Sequence, residues 1–443
     1  TPKPSSAASD VYKRQGVYAQ MYRNIINDFA NWYDQTKRKI LYVKGAKGVG
    51  KTWAVRDFAT AFFKQQCYIN LAEDSACQDA IAGDSNLDLL LSQRFPFGDA
   101  SDCIFIFDEV QAVPDCAEFF YAFRKNHPDY TICLIASSME FTEFEYSHPD
   151  VFEIFRMRPM TFEEYMIASK AHPFIDAISK HKDTPLTNLE IGAITSMLRE
   201  YLLVGGMPGV VHAYLKNRDL SIIRPMQEAL LEDYVQLMKQ TYPVALYQRC
   251  KRIFRSIPEQ LARENKKFMY KSVDSNARSR EYAEAAQALC NLGIARKLPR
   301  LTSGNLPLEE HVDYKSFELF FIDHGLLRAA YGLPMNEEID VNDILAEKCG
   351  AIAEQFIFQE LSSKIPYLYY WVSGATARVP FVYEGEDAPV PVDIRFVPNS
   401  KAQNIKTFRS KNSNTNIAVK VSFNQVSLDG DTLNIPAYGL WNM

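Results

Sequence analysis

Lys39-Ile-Leu-Tyr-Val-Lys-Gly45-Ala-Lys-Gly-Val-Gly-Lys51-Thr52 is the stretch whose reading decides the fold. It opens on a short apolar run of buried-strand type and then turns through three glycines. The last eight residues satisfy GxxxxGK[ST] in full, with a strand before and a helical pattern, Thr52 to Lys64, after. Glycines at these places let the backbone wrap closely around an anion with its N–H groups turned inward. The following helix adds the positive end of its dipole. Gly45, Ala46, Lys47, Gly48, Val49, Gly50, Lys51, Thr52 and Trp53 are therefore the candidate phosphate-binding residues.

A second stretch, Cys103-Ile-Phe-Ile-Phe-Asp108-Glu109, lies about fifty residues on. An apolar strand here delivers two acids at its carboxyl end, where ligands bind in open α/β sheets. The pair of motifs implies ATP with Mg²⁺. Lys51 is expected to neutralise the β- and γ-phosphates, and Thr52 and Asp108 to hold the metal. Glu109 is expected to polarise the attacking water, which makes Lys51 and Glu109 the candidate catalytic residues. Ser137 and Ser138, at the end of the next apolar run, are candidate sensors of the γ-phosphate; ordinary turn serines are the alternative.

Outward from these motifs, Cys67–Leu71 and Tyr130–Ala136 read as further strands, with helical patterns at Met21–Tyr33 and Cys116–Lys125. Strands alternating with helices predict a parallel α/β sheet. The pattern changes near Pro159. From Thr161 to about Leu345 it is mostly helical, interrupted by a strand pair near Ile294–Leu298 and Phe317–Ile322. From Ala346 a helix precedes strand-like runs at Leu368–Val372, Val379–Tyr383, Val390–Phe396 and Ile417–Val421. No internal repeat is evident.

The chain has 443 residues, 47% hydrophobic and 23% charged, with a formal net charge of −5. That is globular composition, and it excludes a wholly basic nucleic-acid coat. The eight cysteines are scattered without a CxxC pair, as expected of small buried hydrophobes in a reducing compartment. His172, His212, His311 and His324 show no metal-ligand spacing. No apolar run approaches the ~20 residues of a membrane helix, and no signal peptide is seen. A cytoplasmic protein is the expectation. Ser5–Gln15 resembles translated sequencing-adapter read-through and is set aside from fold reasoning; a disordered tail is the alternative, and the natural amino terminus is expected to lie outside this sequence. Residues 249–300 carry thirteen Lys or Arg against five Asp or Glu, an excess of eight positive charges in an acidic chain. Duplex DNA is the candidate partner of that stretch; a solvated basic face, or a surface that docks acidic parts of the same chain, is the alternative. A second run, Arg395–Leu428, holds six basic residues and no acid.

Taken in order, Gly45–Thr52, Asp108-Glu-Val-Gln111 and Arg158-Pro-Met-Thr-Phe-Glu-Glu-Tyr165 resemble the prokaryotic AAA-type (AAA_14) ATPases with a carboxyl-terminal DUF4143 region. Gly205-Gly-Met-Pro208, Ser256-Ile-Pro-Glu-Gln-Leu261, Asn265-Lys-Lys-Phe268 and Phe317–Leu327 extend the likeness, which covers Met21 to the end. The resemblance implies an AAA+-like P-loop domain over 16–165, a helical winged-helix domain over 166–345, and a domain over 346–443 similar to PD-(D/E)xK nucleases. Two departures matter. Ser137–Phe155 holds no Arg, leaving Arg124, Arg156 and Arg158 as the nearest arginine-finger candidates. In the nuclease-like part Glu354 matches the helical acid, but Pro380 stands at the second acid's place. Asp393 and Arg395 replace the final Glu-x-Lys, and an Arg does not titrate as a catalytic Lys does. A degenerate site without cleavage is the expectation. The function so implied is Mg²⁺-dependent ATP hydrolysis coupled to domain rearrangement, DNA-associated. A nucleotide-gated switch for a protein partner or homo-oligomer and an ATP-regulated nuclease are the alternatives.

Overall fold

The computed structural model describes residues 21–83, 86–96, 98, 100–140, 142–276, 278–335, 347–374, 377–396 and 403–443. The first fifteen residues and Lys401 of the second basic run lie outside these. The chain divides into two compact units. One ends at Arg158 and takes in Asn291–Gly293; the other comprises Pro159–Cys290 and Ile294–Met443.

Among the described residues of the first unit, β1 (Ile40–Lys44), β2 (Gln65–Asn70), β3 (Cys103–Asp108), β4 (Thr131–Ala136) and β5 (Phe152–Arg156) form one sheet. Its order is β2-β3-β4-β1-β5, and every pairing is parallel. Helices α1 (Ile25–Tyr33), α2 (Lys51–Phe62), α3 (Ser75–Ala82), α4 (Leu87–Arg94), α5 (Cys116–Asn126) and α6 (Glu143–Ser147) alternate with the strands. β1, β3 and β4 are buried along their whole length, as unbroken apolar runs must be when both faces of a parallel sheet are covered. On one face Tyr42, Phe105, Phe107 and Leu134 share a core with Cys77, Leu87 and Phe120 from α3–α5. On the other, Phe29 of α1 meets Phe58 of α2 and Phe155 of β5 edge-on. The parallel α/β reading holds. The sequence pattern missed β5, and α1 begins at Ile25 rather than Met21.

The second unit is helical at first: α7 (Phe162–Ala168), α8 (His172–Lys180), α9 (Asn188–Val204), α10 (Pro208–Asn217), α11 (Ile223–Thr241), α12 (Val244–Leu261) and α13 (Ser279–Asn291). Capping boxes fix two of the starts, Thr161 with Glu164 and Thr187 with Glu190. Then come β6 (Ala295–Leu301), β7 (Val312–Phe321), α14 (His324–Ala330), α15 (Glu347–Lys364), β8 (Tyr369–Ser373), β9 (Ala377–Glu384), β10 (Pro389–Ile394), α16 (Gln403–Lys411), β11 (Ala418–Ser422), β12 (Ser427–Asp429) and β13 (Thr432–Pro436). All eight strands join one sheet, in the order β12-β13-β11-β10-β9-β8-β6-β7. The Gly-Gly and Asp-His-Gly pieces meet in this unit. Asp323 accepts from Leu326 N at 3.0 Å and from Gly206 N at 2.7 Å, and a Cβ on Gly206 would lie 2.4 Å from Met160 O. His324 is a core residue: its ring nitrogens face Gln359 Oε1 and Tyr201 O.

Candidate functional site

The sheet order explains how distant residues meet. β4 lies between β1 and β3, so the turn after β1 and the carboxyl ends of β3 and β4 are neighbours. The chain leaves β1 through Gly45, where a Cβ would fall 2.5 Å from Met157 O; no other residue fits without moving that backbone. Gly48 and Gly50 have φ of +87° and +90°, in the left-handed region, and Gly50 is the residue from which α2 starts. Ala46 and Val49 are buried, Lys47 and Gly48 face solvent, and Trp53 on the first turn of α2 is 41% exposed. Arg23, itself buried, braces the loop from below by donating to Val49 O and Arg158 O.

Lys51 is buried and donates to Ala46 O at 2.9 Å and to Ser137 Oγ at 3.0 Å. Burial lowers its pKa to about 8, against the opposing pull of Glu109 and Asp108. Ser137 passes the chain on, donating to Glu109 Oε1 at 2.8 Å. Thr52 donates to Asp108 Oδ2 at 2.6 Å, and Tyr68 of β2 donates to the same oxygen at 2.9 Å. Glu109 N donates to Asp108 Oδ1 at 2.9 Å, so Lys51, Thr52, Asp108, Glu109 and Ser137 form one connected cluster. Its hydroxyl and carboxylate at Thr52 and Asp108 are hard oxygen donors of the kind Mg²⁺ takes, with the remaining positions left to water and phosphate. Glu109 itself sits at φ +55°, a conformation uncommon for a side chain with a Cβ.

Other candidates fall elsewhere. Ser138 points away from this cluster, donating to Asn291 O at 3.1 Å and accepting from Glu140 N. Arg124 is spent on backbone carbonyls, donating to Tyr130 O and Arg38 O. Arg156 ends β5 and is exposed, and Arg158 is half-buried. Two residues at the cluster were not singled out as site residues from the sequence. Tyr68 depends on β2 pairing with β3, which the sequence does not state. Gln111 was visible only as the last letter of Asp108-Glu-Val-Gln111.

In the second unit, Glu354 on α15 is held by two cations. Lys266 lies 2.6 Å from its Oε2, and Arg378 of β9 reaches both its oxygens and those of Glu318. Burial would raise the Glu354 pKa, but Arg378 and Lys266 outweigh it and hold the carboxyl well below its ordinary range. Asp393 pairs with its neighbour Arg395 at 2.8 Å, and burial pushes its pKa up. Among the described residues no three His, Cys, Asp or Glu side chains converge as a metal set.

Residues 37–166 match the family model described as an AAA domain. Residues 195–337 match a domain of unknown function, DUF8612, and not the DUF4143 that the resemblance implies for the carboxyl-terminal region. No curated protein matches the chain. Among solved structures it is similar to the Aeropyrum pernix ORC1 protein in complex with DNA, at 13% identity over 72% of this chain and 93% of that one, with a TM-score of 0.31. It is also similar to C. elegans PCH-2 (10%, 49% and 68%, TM-score 0.30) and to the Thermotoga maritima RuvB Holliday junction branch migration motor (14%, 47% and 60%, TM-score 0.27). No described helix is long and apolar enough to cross a membrane.

Proposed function

We propose that the chain binds ATP with Mg²⁺ at Gly45–Trp53 and hydrolyses it. The observation that carries this reading is the cluster itself: Lys51, Thr52, Asp108, Glu109 and Ser137, drawn from three neighbouring strand ends, joined by hydrogen bonds of 2.6–3.0 Å. Loop N–H groups and the start of α2 face the phosphates. Lys51, now donating to a loop carbonyl and a hydroxyl, turns to the β- and γ-phosphate oxygens, where its hydrogen bonds are charge-assisted at both ends. Thr52 and Asp108 would hold Mg²⁺, which would supply neutralising charge to the phosphates. Glu109 takes the proton of the attacking water, and Ser137, bonded to both Lys51 and Glu109, keeps phosphate binder and base in register.

The test is Mg²⁺-dependent ATP turnover by the parent, Lys51→Ala and Glu109→Gln. Lys51→Ala is expected to lose nucleotide binding or turnover. Glu109→Gln is expected to bind ATP and turn over at least ~100-fold more slowly, the usual scale of general-base catalysis. Parental turnover in either variant overturns the corresponding assignment.

A second reading, duplex DNA as a partner, is favoured by one observation in the second unit. α12, a single turn at Tyr270–Ser272 and α13 are followed by the antiparallel β6–β7 hairpin, the element order of a winged helix. Arg252, Arg255, Arg263, Lys271, Arg278 and Arg280 are exposed there. Arg249 pairs with Glu281 and Arg252 with Asp274 inside the basic stretch, and Lys266, paired with Glu354 outside it, takes one charge from the excess. The same turnover assay with duplex DNA decides: stimulation that fades with salt supports a phosphate-tracking surface, and indifference to DNA removes it. For the nuclease-like region we infer a structural role. The carboxylate of Glu354, which cleavage would need for metal, is occupied by Lys266 and Arg378.

A further inference from the structure

Gln111 lies three residues past Asp108, on an exposed turn, with no phosphate-binding role in the reading above. Its place follows from the backbone. The left-handed Glu109 breaks β3, and a single tight turn, Val110–Ala112, brings the chain back on itself. Val110 is buried and anchors that turn in the core, and Ala112 N closes it on Glu109 O at 2.9 Å. The side chains of Glu109 and Gln111 are thereby set side by side. Gln111 Nε2 donates to Glu109 Oε2, while Gln111 Oε1 accepts from Ser137 N at 3.0 Å. The amide can face only one way. Reversed, it would set oxygen against carboxylate oxygen and N–H against N–H. With Ser137 Oγ on Glu109 Oε1, both carboxylate oxygens are fixed, each by a donor tied to the end of β4.

We infer that Gln111 is a positioning residue for Glu109. Its amide bridges the end of β3 to the end of β4 and orients the carboxylate toward the attacking water. A carboxylate oxygen has a second lone pair, so a Glu109 held in this way still accepts a water proton. The amide bears on the hydrolytic step, because Gln111 bonds Glu109 and Ser137 N rather than Lys51, Thr52 or the glycine loop. This inference rests on the reading of Glu109 as the base.

The experiment is a kinetic cycle on the full chain with Mg²⁺ and ATP: parent, Gln111→Ala, Glu109→Gln and the double variant, with Gln111→Glu as a fifth. Gln111→Ala is expected to lower kcat roughly ten- to a hundredfold, the scale of a lost hydrogen bond to a charged group, and to leave KM within about twofold because the phosphate contacts stay. Gln111→Glu keeps the size and the acceptor for Ser137 N but removes the donor, and should lower kcat at least as far. In the Glu109→Gln background the second change should add almost nothing, since two residues acting as a unit are non-additive. A merely structural turn residue would instead raise KM, or multiply its effect onto that of Glu109→Gln. Parental kcat in Gln111→Ala, or full additivity in the double variant, overturns the inference and leaves the base assignment standing. Parental turnover in Glu109→Gln overturns the base assignment first.

Discussion

At the scale of single residues, the site is set by positions where one side chain or none is permitted. Gly45 is the sharpest case. A methyl group there would fall 2.5 Å from Met157 O, and a backbone carbonyl cannot swing away as a flexible side chain can. Gly45→Ala is therefore expected to cost about 1–3 kcal/mol, the range for forcing an extra methyl into a packed place, and to weaken ATP binding by displacing the loop. Urea unfolding and a nucleotide titration of the variant check both halves. Parental stability would mean that Met157 yields. Much at this scale is legible in the sequence, because the glycine loop, Lys51, Thr52, Asp108 and Glu109 are local motifs with local causes. Choosing between Ser137 and Ser138 is not local. It depends on which of two adjacent hydroxyls turns toward Lys51, and the structure gives that bond to Ser137. Tyr68 reaches Asp108 only because β2 pairs with β3, with Asn70 opposite Asp108.

Elements show where such legibility ends. β1, β3 and β4 are read correctly because burial on both faces forces unbroken apolar runs. β5 escapes because Phe152-Glu-Ile-Phe-Arg156 is an edge strand with one fully buried residue. The short α16, β12 and β13 carry too few apolar residues to declare a period: Ile405 and Phe408 in α16, Leu428 in β12, Leu433 and Ile435 in β13. An element-scale link also goes unannounced: Lys44, the last residue of β1, is fully buried against Glu145 of α6. Its Nζ lies 2.8 and 2.6 Å from the two carboxylate oxygens and donates to Glu140 O as well. Burial lowers the Lys44 pKa, and Glu145 pulls it back up. The pair ties the segment after β4 to the strand that feeds the glycine loop. Removing one partner leaves an uncompensated buried charge, so Lys44→Met or Glu145→Leu alone should cost about 3–5 kcal/mol, and the double variant less than either. A denaturant-unfolding cycle measures this. Additive costs would show that the two charges do not depend on one another.

For the molecule as a whole, buried carboxyls of the second unit give stability an opposed dependence on pH. Glu360 is buried, and burial raises its pKa to about 8; Phe162 N, which it accepts from at 2.9 Å, opposes that shift, while Glu164 and Glu163 add to it. Its folded value lies above the ordinary 4.5, so between pH 4.5 and 8 the folded chain binds more protons than the unfolded one. Stability contributed by Glu360 is present below 4.5 and falls as pH rises through that window, by at most about 1.4 kcal/mol per unit. Glu354 has the reverse sign. Arg378 and Lys266 hold it below 4.5 despite burial, so its contribution is present above 4.5 and is lost as pH falls below it. Glu360→Gln keeps an acceptor for Phe162 N and cannot ionise. The variant is expected to match the parent near pH 4.5 and to exceed it progressively toward pH 8, while its acid limb stays unchanged. Thermal melts of both proteins across pH 4–9 read this directly. Parallel curves would place the proton elsewhere, and a gain confined to acid pH would reverse the sign assigned to Glu360.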